Sequence, residues 1–94
     1  MTTLDIEQSD LIEAAWCTDT ELVIKLKDGR RVAAPFWWYP RLLNASPVQR
    51  AKLEIGRFGL HWGELDEDIE LAGLLLGAKA PDARHPDKEL QTAE

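Results

Sequence analysis

Ninety-four residues with a net charge of −6 make one small acidic domain, and a chain this short buries a limited share of its apolar surface, so a homodimer would gain stability. A hydrophobic content of 45% with four tryptophans supplies a core, while a pI near 4.8 excludes the whole molecule as a simple counter-charge for nucleic acid. The single Cys17 excludes an internal disulfide and a multi-cysteine metal site, the acidic start "MTTLDIEQSD" is not a signal peptide, and no apolar run nears transmembrane length, so a cytoplasmic protein with no membrane partner is expected.

In chain order, "LIEAAW" sets Ile12, Ala14 and Trp16 against Leu11, Glu13 and Ala15, a period of two that suits a half-buried strand. "ELVIKLKDGRRVAAP" continues with Leu22, Ile24 and Leu26 on one face, Asp28-Gly29 as a type I′ turn, and "RRVAAP" returning antiparallel. Pro35 has no amide proton for the ladder and ends the pairing. Pro40 then opens a short helix ending near Asn44 with Leu42 and Leu43 turned inward. Ser46 and Gln49 flank Pro47 as a capping box, which predicts a second short helix from Pro47 to about Lys52.

"LEIGRFGLHW" places Leu53, Ile55, Leu60 and Trp62 in short β-like runs around Gly56 and Gly59, a ribbon in which His61 faces opposite to Trp62. "DEDIELAGLLLG" predicts a last helix with Ile69, Leu71, Leu74 and Leu75 inward, acids at its amino end and Gly77 as its stop. The fold class is therefore α+β: a three-stranded antiparallel meander, two short helices, a β-ribbon and a C-terminal short helix over 1–77. Residues 78–94 are polar and charged, as in a disordered tail.

Charge is uneven. From Leu22 to Arg57 eight bases (Lys25, Lys27, Arg30, Arg31, Arg41, Arg50, Lys52, Arg57) oppose two acids, whereas the flanks hold three bases and fifteen acids. Either the acidic flanks fold back on the basic middle, or one face is basic and the other acidic and the molecule docks in a defined orientation. Both arrangements stay open at this level.

"HWGELDED", from His61 to Asp68, has the density of a metal or acid/base site. A calcium loop starting at Asp66 fails, because its sixth position is Leu71 and its twelfth Gly77. A zinc site lacks ligands beyond His61 and Glu64, since His85 lies in the tail and no HExxH spacing exists. Cys17 carries no signature of an activated thiolate, Ser46 is spent as a cap, and no phosphate-binding glycine loop occurs. No enzyme, metal or cofactor is expected. Of the tryptophans, Trp16, Trp62 and one of Trp37 and Trp38 are read as core, because large rings supply much of the burial in a short chain. The remaining one can anchor a partner.

"DGR", then Pro35, Trp38, Tyr39, Pro40, Arg41 and Leu42, then Gln49-Arg50, then "HWGELDEDI" and Leu74, Leu75, Gly77 together resemble the bacterial domain of unknown function family 2442, over Ile12 to Gly77. The resemblance implies a small α+β domain and a partner role in two-gene modules like toxin–antitoxin pairs. It implies no catalytic residue. Some members add a helix-turn-helix domain, for which the seventeen residues after Gly77 are too few.

The leading expectation is a non-enzymatic interaction module, antitoxin-like or regulatory, that binds a cognate protein through Trp38, Tyr39 and Arg41 and the acids Glu64, Asp66, Glu67 and Asp68. Arg41 pairs with one of those acids, inside the fold or across an interface. The alternative is a nucleic-acid-associated regulator using Arg30, Arg31, Arg41, Arg50 and Lys52, and a third is an enzyme or metal-binding protein using His61 and its neighbouring carboxylates.

Overall fold

The computed structural model describes residues 8–86. After a 3₁₀ turn at Gln8–Leu11, the strands β1 (Ile12–Cys17), β2 (Glu21–Leu26) and β3 (Arg31–Pro35) form an antiparallel sheet in sequence order, the expected meander. Leu22, Ile24 and Leu26 of the central strand are all buried, as alternation requires.

Two details differ. The Asp28-Gly29 turn is not type I′, because only Gly29 has a positive φ, at 99°, and the loop has three residues with the glycine third. The Gly29 N–H reaches the Leu26 carbonyl at 2.9 Å, and the Asp28 carboxylate accepts from the Arg30 amide at 3.0 Å, which makes the longer turn self-sufficient. On β1 the register slips between Ile12 and Ala14. A bulge of one residue inverts the alternation beyond it, so Ala15 and Cys17, opposite Ile24 and Leu22, pack on the core. Trp16 is thereby turned to the outer face, only partly buried, with the Arg31 guanidinium 5.6 Å from its ring centre. It is not the core tryptophan that simple alternation predicts.

Pro35 ends β3, and a 3₁₀ turn at Phe36–Trp38 leads into α1 (Pro40–Leu43), with proline at the first helical position. Leu42 is fully buried, but Leu43 is exposed, since a single turn of helix aims neighbouring residues about 100° apart and buries one of them. The α2 helix (Pro47–Arg50) has the expected reciprocal cap, with the Gln49 amide donating to Ser46 Oγ at 3.1 Å and the Ser46 amide to Gln49 Oε1 at 2.9 Å. It stops at Arg50, two residues short of the expected end.

The second sheet is larger than a ribbon. It comprises β4 (Glu54–Ile55), β5 (Gly59–Trp62) and β6 (Glu67–Glu70), with α3 (Leu71–Leu75) following β6 directly. "EDIE", expected as helix, is strand: Ile69 alternates inward against exposed Asp68 and Glu70, and a four-residue stretch reads equally well with either period. Leu71 and Leu74 of α3 are buried, Leu75 is exposed, and Gly77, at φ 84°, closes the helix as expected. The two sheets share one core in which Trp62, Phe36, Leu22, Ile24, Leu42, Leu60 and Leu71 are the largest fully buried side chains.

Residues 78–86 are not a free tail. The Ala80 N–H bonds the Trp38 carbonyl at 3.0 Å, Ala80 packs on the core, and the His85 ring lies 4.6 Å from that of Trp37. The rest of the expected tail, 87–94, lies outside the described residues.

Gly59 carries the closest approach in the second sheet. A Cβ there would collide with the Ile69 carbonyl oxygen and lie 2.9 Å from Glu70 Cα. Backbone atoms cannot yield as a flexible side chain does, so Gly59→Ala is expected to separate β5 from β6 and cost about 3 kcal/mol, read as a lower urea midpoint.

Candidate functional site

The "HWGELDED" stretch is the β5–β6 hairpin, not a lead into a helix. Trp62 ends β5, residues 63–66 turn, and Glu67 begins β6. Asp66 occupies the left-handed region at φ 53°, which aspartate tolerates better than most residues, and its amide bonds the Gly63 carbonyl at 3.3 Å. Trp62 is buried, as its reading as a core ring requires, and Leu65 packs at the core margin. His61 and Asp68 are cross-strand neighbours on the outer face, with Nδ1 2.5 Å from Oδ1. Among the described residues no group of three or more His, Cys, Asp or Glu is placed to hold a metal.

Arg41, on α1, reaches this hairpin. Its Nη1 donates to the Asp66 carbonyl and lies 3.8 Å from Glu67 Oε1 and 4.0 Å from Asp66 Oδ2. The expected pairing of Arg41 with the acidic segment is thus made within the fold. Asp66 is almost fully exposed, so its carboxylate adds little; the Glu67 side chain, 13% exposed, is the partner that matters.

These segments wall a cleft of about 570 Å³. Tyr39, Pro40 and Arg41 form one side, all four residues of β6 the other, and Gly73, Leu74 and residues 78–82 close it. Tyr39 is 5% exposed and its hydroxyl has no hydrogen-bond partner among the described residues. Burial, aided by the Glu67 charge, pushes its pKa up to about 12. Burial also raises the Glu67 carboxyl, against the lowering effect of Arg41, and Asp68, Asp82 and Asp66 add to the rise. The lining carries four acids, Glu67, Asp68, Glu70 and Asp82, and two bases, Arg41 and Lys79. Lys79 is engaged elsewhere: its Nζ lies 4.4 Å from the Trp38 ring centre and donates to the Gly77 carbonyl at 3.3 Å.

Of the residues expected to bind a partner, Tyr39, Arg41, Glu67 and Asp68 therefore meet in one cleft, with Asp66 at its corner and Trp38 behind it. Glu64 points elsewhere, to α2, where it accepts from Gln49 Nε2 at 3.4 Å and Lys52 Nζ at 3.3 Å, bonds that lower its pKa. Sequence reasoning misses Glu70 because it reads as a helix-start acid and not as the end of a strand, and Lys79 and Asp82 because they follow the Gly77 boundary. The small apolar residues Ala78 and Ala80 amid polar ones were the available sign that this segment packs.

The bases proposed for nucleic acid are dispersed and engaged. Arg50 Nε and Nη2 donate to the Leu42 and Leu43 carbonyls at 2.8 and 3.0 Å, and its guanidinium covers the Phe36 ring at 4.4 Å. Arg30 pairs with Asp28, Arg31 lies over Trp16, and Lys52 pairs with Glu64. Three of the charge contacts, Lys25 with Glu13, Lys52 with Glu64 and Arg41 with Glu67, join the basic middle to the acidic flanks, the first of the two arrangements left open above.

A small α+β domain of two antiparallel sheets around one core, with an acidic cleft at the edge of the second, is thus the class that fold and site define. The chain belongs to the DUF2442 family, proteins of unknown function, whose model matches residues 12–80. It is similar to a protein of unknown function from Rhodospirillum rubrum ATCC 11170 whose crystal structure is known at 2.75 Å resolution. The two are 30% identical with a TM-score of 0.67, over 77% of this chain and 92% of the other. No curated protein has a significant sequence match. Among the described residues no helix is long and apolar enough to cross a membrane.

Two titrations follow from the buried pair. Tyr39 is the only tyrosine, so phenolate absorbance reports it directly, and its midpoint is expected well above the ordinary 10 while the chain stays folded. A carboxyl whose folded pKa is raised binds more protons folded than unfolded, so the stability it contributes is full below its unfolded pKa and is lost as pH rises through the folded one. Glu67→Gln is therefore expected to melt higher than wild type at pH 7, with the gap closing near pH 4; a gap that does not change with pH contradicts the assignment.

Proposed function

We propose that the chain is a non-enzymatic interaction module, antitoxin-like or regulatory, that docks a cognate protein at the cleft between Tyr39–Arg41 and β6. The observation that carries this reading is the convergence of two sequence-distant segments through Arg41 on one cleft whose buried Tyr39 hydroxyl is unpartnered among the described residues. A buried polar group without a partner is destabilising by itself, and a bound protein that supplies an acceptor or donor removes that cost. The two-gene arrangement implied by the family resemblance makes the neighbouring gene's product the partner to test.

The nucleic-acid alternative draws less support. Arg50 spends its donors on helix carbonyls, and Arg41 and Lys52 each lie beside an acid, so these three add little to a cationic face for a phosphate backbone.

The chain co-expressed with the neighbouring gene's product is expected to co-purify with it, and Asp68→Lys with Glu70→Lys, both exposed, is expected to weaken the complex at least tenfold while the variant stays folded, with only the small stability loss of the exposed His61–Asp68 contact. A wild-type chain that fails to bind that product, or variants that bind it as tightly as wild type, would overturn the proposal.

A further inference from the structure

The second wall of the cleft is a sheet edge. Among the described residues β6 pairs with β5 on one side only, with Leu60 opposite Ile69 and Trp62 opposite Glu67. The Leu71 N–H bonds the Phe58 carbonyl at 3.1 Å, and the Gly56 N–H bonds the Gly59 carbonyl at 2.7 Å on the far side of β5. Hydrogen-bonded and non-bonded pairs alternate along antiparallel strands, so Glu67 and Ile69 aim their backbone groups at β5. Asp68 and Glu70 consequently turn their N–H and C=O groups to the outer edge, beside the cleft that both residues line.

We infer that this edge takes an extended, lysine- or arginine-bearing segment of the partner protein as an added strand alongside β6. The inference rests on the docking role proposed for the cleft and specifies its mode. Main-chain bonds to Asp68 and Glu70 supply affinity, and alternate side chains supply selectivity. Four residues of β6 offer about 13 Å of edge. The charge selects the occupant: the cleft holds Glu67, Asp68, Glu70 and Asp82, while Arg41 is held by Asp66 and Glu67 and Lys79 by the Trp38 face. A second copy of this chain fits poorly, because a two-fold β6–β6 pairing sets Asp68 and Glu70 against the same acids, and like charges directly opposite destabilise a strand pair. The Tyr39 hydroxyl, without a partner among the described residues and in a residue 5% exposed, gives the incoming segment a polar group to satisfy.

The test uses the full ¹⁵N-labelled chain and a short acetylated peptide alternating lysine and valine, with a glutamate–valine peptide as its counterpart. Binding of the lysine peptide is expected to slow hydrogen exchange at the Asp68 and Glu70 amides, to weaken with salt, and to exceed that of the glutamate peptide at least tenfold. Glu70→Pro deletes one outward N–H where φ is −77°, an angle the proline ring accepts, and is expected to weaken the peptide about tenfold. Should that variant unfold, Asp68→Lys keeps the question open to measurement through the same loss. No binding of the lysine peptide, binding that leaves those two amides unprotected, equal binding of the glutamate peptide, or protection of the same amides by self-association would each overturn strand addition. Should the neighbouring gene's product still bind wild type and be lost on Asp68→Lys with Glu70→Lys, the docking role stands and only the strand-addition mode falls.

Discussion

Arg50 is the point on which the two halves of this small domain depend. Its guanidinium bonds the last carbonyls of α1, which a four-residue helix cannot satisfy internally, and covers the Phe36 ring. Its own carbonyl accepts the Trp62 indole N–H at 2.9 Å from the second sheet, and the Cys17 thiol of the first sheet lies 3.8 Å away. One residue therefore links the meander, both connecting helices and the second sheet. The planar fork explains why arginine stands there, since lysine offers a point charge that cannot reach two carbonyls and a ring face together. Burial of Cys17 in that junction raises its pKa, in keeping with a packed rather than a reactive thiol.

From that junction the cleft follows. With α1 anchored through its carboxyl end, Arg41 on its other side is presented to the β5–β6 turn, and the left-handed Asp66 exposes the carbonyl that Arg41 takes. Arg41 offsets only part of the charge on Glu67, whose carboxyl remains raised by burial beside the Tyr39 ring. The site thus combines a held cation, a poorly solvated carboxyl and a phenol without a hydrogen-bond partner among the described residues. Such groups are expensive in a domain of this size, because burial without full compensation disfavours both the charge on Glu67 and the Tyr39 hydroxyl.

Much of the architecture was legible because its signals are local. The Ser46–Gln49 cap, prolines at the first positions of α1 and α2, and the stop at Gly77 each act within one turn of chain, and the structure keeps all of them. The Asp28-Gly29 turn was located but mistyped, since one extra loop residue satisfies the same glycine. Trp16 was misplaced for a subtler reason: a bulge at Glu13 reverses inside and outside for every later residue of β1, and composition carries no mark of it. β6 was hidden because "EDIE" suits strand or helix until β5 offers an edge. At the cleft, Tyr39, Arg41, Glu67 and Asp68 stand out as residue types, whereas Lys79 and Asp82 join them only through the folding of their segment against Trp38.

The amino-acid sequence by itself determined the α+β class, the opening meander, the caps and the concentration of acids after Trp62, because propensity, turn chemistry and alternation act over a few residues. Tertiary structure alone decided which acid meets Arg41, that Arg50 braces the α1 carbonyls, that "HWGELDED" is a hairpin whose second strand is a sheet edge among the described residues, and that residues 78–82 close the cleft. Those outcomes depend on pairing register and on contacts between segments separated along the chain, by 7 residues for Arg50 and the Leu43 carbonyl and by 25 for Arg41 and the Asp66 carbonyl, and such energies belong to the assembled core and to no stretch of the chain alone.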